Sequence, residues 1–391
     1  MDWVTWLIWV VKGFFLAMFL LGGFAYLTWY ERRALARIQV RVGPNRAGPF
    51  GLLQPIADAV KLIFKEELTP TKAYKVVFFL APIITMVPSI IIAAVIPWGP
   101  LEPPIVLFGY TITLHVADIN VGVLYLMSIA SIAVYGIVLA GWSSNSKYAM
   151  LGGLRSTAQM ISYEITLGLS FVTVILLAGS MRMLDIVEAQ RAWWFVVIQP
   201  VGAIVFLIAV LAEVNRAPFD MPEAEQELTA GYHAEYSGMK FALFFMAEYQ
   251  KMIVVSAIAA TVFFGGYLEP FPAFLTNISW LSWLKVSQTP YLGPIYMLIK
   301  IVILLFGMIW VRATWPRVRY DRLMAFGWKV MLPLALAVVV ITGFGILLAQ
   351  ELDDRVLLMV IPAASIVAGL IAIILVNRAL TRKRILSYEP R

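Results

Sequence analysis

The sequence predicts an all-α fold, a polytopic membrane helix bundle of about nine transmembrane helices with an amphipathic interfacial helix in the first cytoplasmic loop. Two observations predict this class. Hydrophobic residues make up 61% and charged residues 14% of the 391 residues, with a mean hydropathy of +0.86, whereas about a quarter of the residues in an ordinary soluble domain are charged. Apolar stretches of about twenty residues also recur, and that length of helix crosses the hydrocarbon core.

Nine stretches are long and apolar enough to be membrane spans. The first begins within MDWVTWLIWVVKG, which lacks a basic leader region and therefore predicts a retained helix. Proline and glycine inside the spans blur boundaries only, because neighbouring helices satisfy the freed backbone groups. The predicted spans are residues 3–30, 76–96, 121–141, 157–179, 193–212, 241–263, 294–313, 328–349 and 356–376.

Lysine and arginine divide unequally between the two sides of these spans. Of the 30 basic residues, 22 fall in loops one, three, five and seven and the C-terminal tail, counting Lys329 at the start of the eighth span, four fall in loops four, six and eight, and none falls in loop two. The positive-inside rule therefore predicts a cytoplasmic C-terminus and an external N-terminus. The net charge of +7 is explained by this concentration of basic residues on one side of the membrane, so it argues against a nucleic-acid partner.

The sequence offers no ligands for a redox metal of its own. It has no cysteine and two histidines, His115 and His233, that are far apart along the chain. Thiolate-bound iron–sulfur clusters and zinc are thereby excluded, and a haem or metal pair is not indicated. Electrons for any redox reaction must therefore come from outside this chain.

The first basic loop contains two patterns. Apolar residues recur at helical spacing on one face of Gly51–Leu68, which predicts a helix in the headgroup plane. Just before it, ERRALARIQVRVGPNRAGPFG places five arginines beside a glycine- and proline-rich turn. Binding of lipid phosphates, docking of a partner protein and lining of a polar mouth into the bilayer all fit five guanidinium groups.

Two carboxylates fall inside predicted spans. Glu164 and Glu248 each lie about eight residues, or about 12 Å, along their helices. An ionisable group at such a depth is costly and is a functional candidate by default. A structural reading is also open, because Lys251 at i+3 from Glu248 can neutralise it, and Tyr163 and Tyr249 offer hydrogen bonds.

A crowded acidic stretch, EVNRAPFDMPEAEQEL, follows the fifth span. Asp220 and Glu223 form a capping pattern that predicts a short helix over 221–231. Capping needs two carboxylates, however, and the stretch from Glu213 to Leu228 contains five. Because Glu223 and Glu227 repel each other at i,i+4, the stretch favours groups that share protons, as a proton relay does.

Four long blocks resemble, in the same order, the H-subunit family of bacterial respiratory NADH:quinone oxidoreductase (complex I), the counterpart of mitochondrial subunit one. They are ERRALARIQVRVGPNRAGPFGLLQPIADAVKLIFKEE, GWSSNSKYAMLGGLRSTAQMISYE, EVNRAPFDMPEAEQELTAGYHAEYSGMKFALFFMAEY and RATWPRVRYDRLMAFGWK. The resemblance covers the chain to about Leu348. It implies a multi-pass subunit of a proton-translocating enzyme in the bacterial inner membrane.

The resemblance also implies where the chemistry lies. The family forms the quinone-access tunnel at the junction with the hydrophilic arm and couples quinone reduction to proton translocation through buried carboxylates. NADH, the iron–sulfur clusters and the quinone headgroup ligands belong to partner subunits. This chain is therefore expected to have no catalytic residue, bound cofactor or metal, and to share a quinone cavity with its partners. The other implied partners are small membrane subunits, antiporter-like subunits and lipid.

Positions that match the family's motifs give the expected site residues. The expected tunnel residues are Glu31, Arg32, Arg41, Asp58 and Arg312. The expected proton relay comprises Glu213, Asp220, Glu223, Glu225, Glu227, Glu235, Glu248, Glu164 and Tyr163. Some members have another glutamate where this chain has Ser131, so the route onward from Glu164 is expected to use water or a different group.

The resemblance divides the chain into an eight-helix core, residues 1–349, and an additional ninth helix with a basic tail, residues 350–391. Two other functional classes remain open. One is the homologous subunit of a ferredoxin- or F420-linked oxidoreductase or of a membrane-bound hydrogenase. The other is a stand-alone cation transporter, for which unwound half-helices in mirrored positions would be expected.

Overall fold

The computed structural model describes residues 3–100, 105–107, 110–221, 231–270, 284–352 and 360–388. Its architecture is a helical membrane bundle, which confirms the predicted fold class. The helices are α1 Trp3–Ile38, α2 Gln54–Ile63, α3 Lys75–Ala93, α4 Gly122–Ser143, α5 Lys147–Ala178, α6 Met183–Glu188, α7 Phe195–Ile198, α8 Pro200–Glu213, α9 Gly238–Phe263, α10 Leu292–Thr314, α11 Tyr320–Phe326, α12 Leu332–Glu351 and α13 Val360–Tyr388. A short antiparallel hairpin, β1 Ile105–Leu107 and β2 Tyr110–Ile112, lies in the second loop.

Seven of the nine predicted spans are helices long enough to cross a bilayer by length and composition. The predicted span 193–212 is instead two helices, α7 and α8, because Pro200 has no N–H and disfavours a helical Gln199. The Gln199 side chain donates to Thr342 in α12, so a neighbouring helix partners the break. The start of the ninth predicted span, 356–359, lies outside the described residues, and α13 packs against α12 and α8.

Two helices extend past their predicted ends on the basic side of the bundle, where the odd-numbered loops lie. Helix α1 continues to Ile38, eight residues past the predicted end at residue 30, and α5 begins at Lys147 instead of at residue 157. Helix α2 presents Ile56, Val60 and Ile63 to the exterior, as a helix at the membrane surface does. The extension of α1 determines the site, because it carries Glu31 and several of the arginines.

Helix α9 is the centre of the bundle. Two thirds (67%) of its most apolar window is buried, the highest share among the seven long helices, and it contacts α1, α3, α8 and α10. A charged residue on α9 therefore faces protein and not lipid. Helices α3, α4 and α5 pack beside it, and small residues permit close approach of their backbones.

Gly136 of α4 is one such contact, and it provides a test of the packing. A Cβ there would lie 2.1 Å from Thr85 Oγ1 and 2.8 Å from the Thr85 backbone nitrogen in α3. Gly136→Ala is therefore expected to destabilise the protein by up to about 2 kcal/mol, since overpacking costs about 1–3 kcal/mol and the gain in helix propensity offsets about 1.

The matched control is Gly343→Ala in α12, where a Cβ would meet no atom within 4 Å. That substitution is expected to leave the melting temperature unchanged or to raise it. Thermal melts of both purified variants check the prediction. Equal melting temperatures for the two variants would show that α3 and α4 are not in close contact at Gly136.

Candidate functional site

A network of charges joins α1, α9 and α10 on the basic side of the bundle. Glu31, in the last third of α1, is 2% exposed. Arg216 donates to both of its carboxylate oxygens, with nitrogen-to-oxygen distances of 3.1 and 3.4 Å, and Arg312 of α10 forms a further ion pair with it. The Tyr249 hydroxyl of α9 is also within hydrogen-bonding reach of Glu31. Glu31 is thus an ion-paired carboxylate held in the interior.

Arg216 bridges this carboxylate to a second one. Its Nε lies 2.7 Å from Oε1 of Glu248 in α9, and its guanidinium carbon lies 4.2 Å from the centroid of the Tyr249 ring. Burial lowers the pKa of Arg216, but Glu248 and Glu31 outweigh burial, so the net pKa shift is upward and the guanidinium keeps its charge. Arg216 therefore holds two acidic side chains from two different helices.

The short loop after α8 is what places Arg216 in the interior. Asn215 has a left-handed backbone, with φ 56°, which turns the chain sharply after the helix end. Gln159 of α5 then donates to the carbonyls of Ala212 and Phe219, at 2.7 and 2.8 Å, on either side of the turn. Val318 N–H also donates to the carbonyl of Pro218. The turn is thus held by α5 and by the segment before α11.

A second polar contact lies beside the network, towards α2. Arg32 Nη1 is 2.7 Å from Asp58 Oδ2, and Gln54 donates to the other oxygen at 3.2 Å. The Arg32 and Asp58 side chains are 50% and 27% exposed, so this pair lies at the surface and not in the core. Arg41 lies apart from both groups, because its exposed side chain bonds Gln39.

A third polar group lies deeper along α9. Glu213, the last residue of α8, is buried, and it lines a small cavity together with Lys251 of α9. The Lys251 ammonium is also close enough to Glu164 of α5 and to Glu248 to interact with them electrostatically. The sequence left open whether Lys251, at i+3, neutralises Glu248. In the structure the direct ion pair of Glu248 is with Arg216 instead.

Ser131 of α4 provides the contact beyond Glu164. Its hydroxyl forms a hydrogen bond with the Glu164 carboxyl group and lies 3.0 Å from the Met127 carbonyl. Ser131 thus offers Glu164 a hydroxyl, which can both donate and accept a hydrogen bond. Ser131 is therefore a group that could continue a route from Glu164 without a second carboxylate.

A small cavity adjoins Glu213 and Lys251. Its volume is about 40 Å³, which is room for about two or three water molecules and far too small for a quinone ring. Apart from these two side chains, its only polar lining residue is Ser89, whose hydroxyl is hydrogen bonded to Gln250. The cavity suits water-mediated proton movement and does not suit substrate binding.

The remaining predicted relay residues are spread more widely. The Tyr163 hydroxyl donates to the carbonyl of Leu323, away from Glu164. Asp220 is buried beyond the turn that holds Arg216, and Glu235 is partly buried with no ion pair to another described residue. Glu223, Glu225 and Glu227, together with the helix predicted over 221–231, lie outside the described residues. Within the described ranges, no three His, Asp or Glu side chains gather as a metal site requires.

Arg216 was missed from the sequence, and Lys251 and Tyr249 were considered there only as structural partners of Glu248. Lys251 falls within the predicted span 241–263, where a buried ammonium is as costly as the buried carboxylate at Glu248. That cost was the available signal. No comparable signal marked Arg216, because only the fold of its loop turns it inward.

Comparison with known proteins identifies the family. The family model for NADH dehydrogenase matches residues 11–343. A Rickettsia bellii protein is 53% identical over 333 residues, covering 84% of this chain and 91% of that protein. A Thermomicrobium roseum protein is 49% identical over 353 residues, covering 88% and 97%. Both are named as the H subunit of NADH-quinone oxidoreductase. The chain therefore belongs to the NADH dehydrogenase family, as a membrane subunit of the NADH-quinone oxidoreductase type.

Proposed function

We propose that this membrane subunit lines the quinone-access route of its NADH-quinone oxidoreductase and couples quinone reduction to proton movement. The names of its relatives support the enzyme and the substrate. One observation carries the coupling. Arg216 pairs with Glu31 and Glu248 at the same time. Glu248 in turn lies one helical turn from Lys251, which interacts electrostatically with Glu213 and Glu164 deeper in the bundle.

Charge balance explains how such a network can respond to a reaction. Glu31 and Glu248 are matched by Arg216 and Arg312. A negative charge that develops on a quinone near Arg216 or Arg312 competes for those guanidinium groups. Arg216 then neutralises Glu248 less completely, and a buried carboxylate that loses its partner takes up a proton.

The size of this effect is sufficient for coupling. Two unit charges about 5 Å apart interact by about 3 kcal/mol at an effective dielectric constant of about 20. That energy changes a protonation equilibrium roughly a hundredfold. Side chains three residues apart on a helix lie about 5–6 Å from each other, so a change at Glu248 acts on Lys251 with this strength.

We propose that from Lys251 the route continues to Glu213, which lines the same cavity, and to Glu164. Lys251 interacts with Glu213 and Glu164, and Glu164 is hydrogen bonded to Ser131. The small cavity beside Glu213 and Lys251 gives water a place to carry protons between them. Substitutions at Arg216 and Lys251, followed by measurement of quinone reduction and of protons pumped, test the coupling.

The access route has its own test at Arg32 and Asp58. Arg32→Ala or Asp58→Asn is expected to raise the apparent KM for quinone about threefold to fivefold. The pair is half exposed, and an exposed pair contributes at most about 1 kcal/mol. Steady-state kinetics with a water-soluble quinone analogue measure the change, and the swap Arg32→Asp with Asp58→Arg is expected to recover part of it.

Arg46→Ala is the matched control for the access route, since Arg46 is exposed in the same loop. It is expected to leave the KM for quinone unchanged. Wild-type KM and wild-type inhibitor affinity in both Arg32→Ala and Asp58→Asn would remove this pair from the route.

The alternative functions are less well supported. A lone cation transporter predicts mirrored unwound half-helices. Among the described spans, only α7 and α8 are interrupted in this way, and the other helices there offer no mirrored counterpart. The hydrogenase and ferredoxin- or F420-linked alternatives share the carboxylates, but the relatives named here are NADH-quinone oxidoreductase subunits.

A further inference from the structure

The five arginines at the basic end of α1 fit three different roles in the sequence, and the structure separates them. Arg32 turns towards α2 and pairs with Asp58, whereas Arg41 bonds Gln39. Arg33 and Arg37, one helical turn apart, instead face a groove between α1 and α10. These two residues belong neither to the charge network at Glu31 nor to the contact at Asp58.

The groove has a cationic end and an apolar wall. Its volume is about 460 Å³. Phe306 is the contribution of α10, and the exposed side chains of Val302 and Ile303 continue the apolar surface along that helix. The lining residues are Trp29, Tyr30, Arg33, Ala34, Arg37, Ile38 and Phe306.

Arg33 is held in position for an anion. Its Nη1 donates to the Phe50 carbonyl at 3.2 Å, and its guanidinium carbon lies 5.3 Å from the Trp29 ring centroid and 5.7 Å from that of Phe50. These contacts use one N–H group and the faces of two rings, which leaves other N–H groups available. Among the residues that the structure describes, neither Arg33 nor Arg37 forms an ion pair with a carboxylate.

We propose that this groove binds an acidic phospholipid, with its phosphate on Arg33 and Arg37 and an acyl chain along α10. Two guanidinium groups one turn apart complement a phosphate, because arginine presents paired donors to phosphate oxygens. Trp29 and Tyr30 are the residue types that lie at headgroup level. A quinone fits this groove less well because it has no negative charge to pair with the arginines. A soluble anion also fits less well because it makes no contact with the apolar wall.

Lipid retention by the purified, assembled enzyme tests the site. Enzyme with Arg33→Gln and Arg37→Gln is expected to retain about one acidic phospholipid fewer than wild type after mild delipidation, with zwitterionic lipid unchanged. Enzyme with Arg46→Gln and Lys65→Gln, which loses two exposed positive charges from the same loop, is expected to match wild type. Native mass spectrometry counts the lipids. Equal retention in both double variants, or equal loss in both, overturns the proposal.

Photo-crosslinking of wild-type enzyme tests the site without substitution. An acidic phospholipid with a photoreactive acyl chain is expected to label peptides from α1 around Trp29 to Ile38 and from α10 around Phe306. Excess acidic lipid is expected to compete with the label, and inorganic phosphate at the same concentration is not. Labelling confined to other helices, competition by phosphate alone, or a partner subunit cross-linked into the groove would each refute the lipid site.

Discussion

Enzyme that carries Arg216→Gln is expected to oxidise NADH with quinone at least about a hundredfold more slowly than wild type. The substitution leaves Glu31 and Glu248 without the guanidinium that both share. The charge interaction on which the coupling depends is about 3 kcal/mol, and about 2.7 kcal/mol added to the activation barrier slows a reaction about a hundredfold. NADH oxidation with a water-soluble electron acceptor is expected to persist, because the family resemblance implies that this reaction takes place in partner subunits.

Arg216→Lys separates charge from geometry. Lysine keeps the positive charge but presents a single ammonium, which cannot reach two carboxylates and stack on Tyr249 in the same way. We expect quinone reduction between that of wild type and that of Arg216→Gln. Wild-type activity in the lysine variant would mean that charge alone matters and that the bridge between two helices is not used.

The control for Arg216 is Arg182→Gln on the opposite side of the bundle. Arg182 forms a partly buried ion pair with Asp118 and a second with Asp185. Its loss is expected to cost some stability without slowing quinone reduction. If Arg216→Gln and Arg182→Gln reduce quinone at equal rates, the ion pairs of Arg216 have a structural role only.

Enzyme that carries Lys251→Met is expected to pump fewer than half as many protons per NADH oxidised as wild type, and to reduce quinone about tenfold more slowly. Methionine fills the space without charge, so Glu213 loses the cation that balances it. A lone carboxyl group in the interior is neutral and stays neutral, because ionisation there is too costly. A group that remains in one protonation state cannot pass protons on.

Measurements in proteoliposomes, with a pH-sensitive dye and NADH absorbance followed together, give the pumping ratio directly. The double variant Lys251→Met with Glu213→Gln removes both charges. It is expected to recover stability without recovering pumping, since replacing a buried pair with neutral side chains is often neutral or stabilising. Full pumping in the double variant would assign Glu213 and Lys251 a structural role only.

Lys300→Met is the matched control for a lost buried lysine. The Lys300 ammonium donates to the carbonyls of Gly266 and Leu268, both at 2.8 Å, beyond the end of α9. Its loss is expected to lower stability and to leave the pumping ratio unchanged. The same fall in pumping for both lysine variants would point to general damage to the bundle.

The sequence predicted the helical elements well because lipid leaves a chain few choices. Backbone groups in hydrocarbon must be satisfied within the segment, so a twenty-residue apolar run has to be helical. The errors arose where this constraint is relaxed. Helices α1 and α5 extend past the apolar runs into the basic side, and Pro200 divides the fifth span at a place where Thr342 of α12 provides a partner.

The sequence identified several residues of the candidate site but did not show which of them form ion pairs with each other. Glu31, Glu248 and Arg312 were expected on separate grounds, and the structure joins them through Arg216. Lys251 was weighed as the partner of Glu248 from spacing alone, whereas Glu248 pairs with Arg216 and Lys251 shares a cavity with Glu213 of α8. Spacing along a helix shows which residues share a face and does not show which neighbouring helix meets that face.

The sequence by itself determined that this protein is a membrane helix bundle with a basic side, and that acidic groups lie within its spans, because hydropathy and charge act locally along the chain. Only the tertiary structure decided which charges balance each other. The turn at Asn215 brings Arg216 between Glu31 and Glu248. Such pairing depends on contacts between helices distant in sequence, and Coulomb energies depend on those distances and on burial.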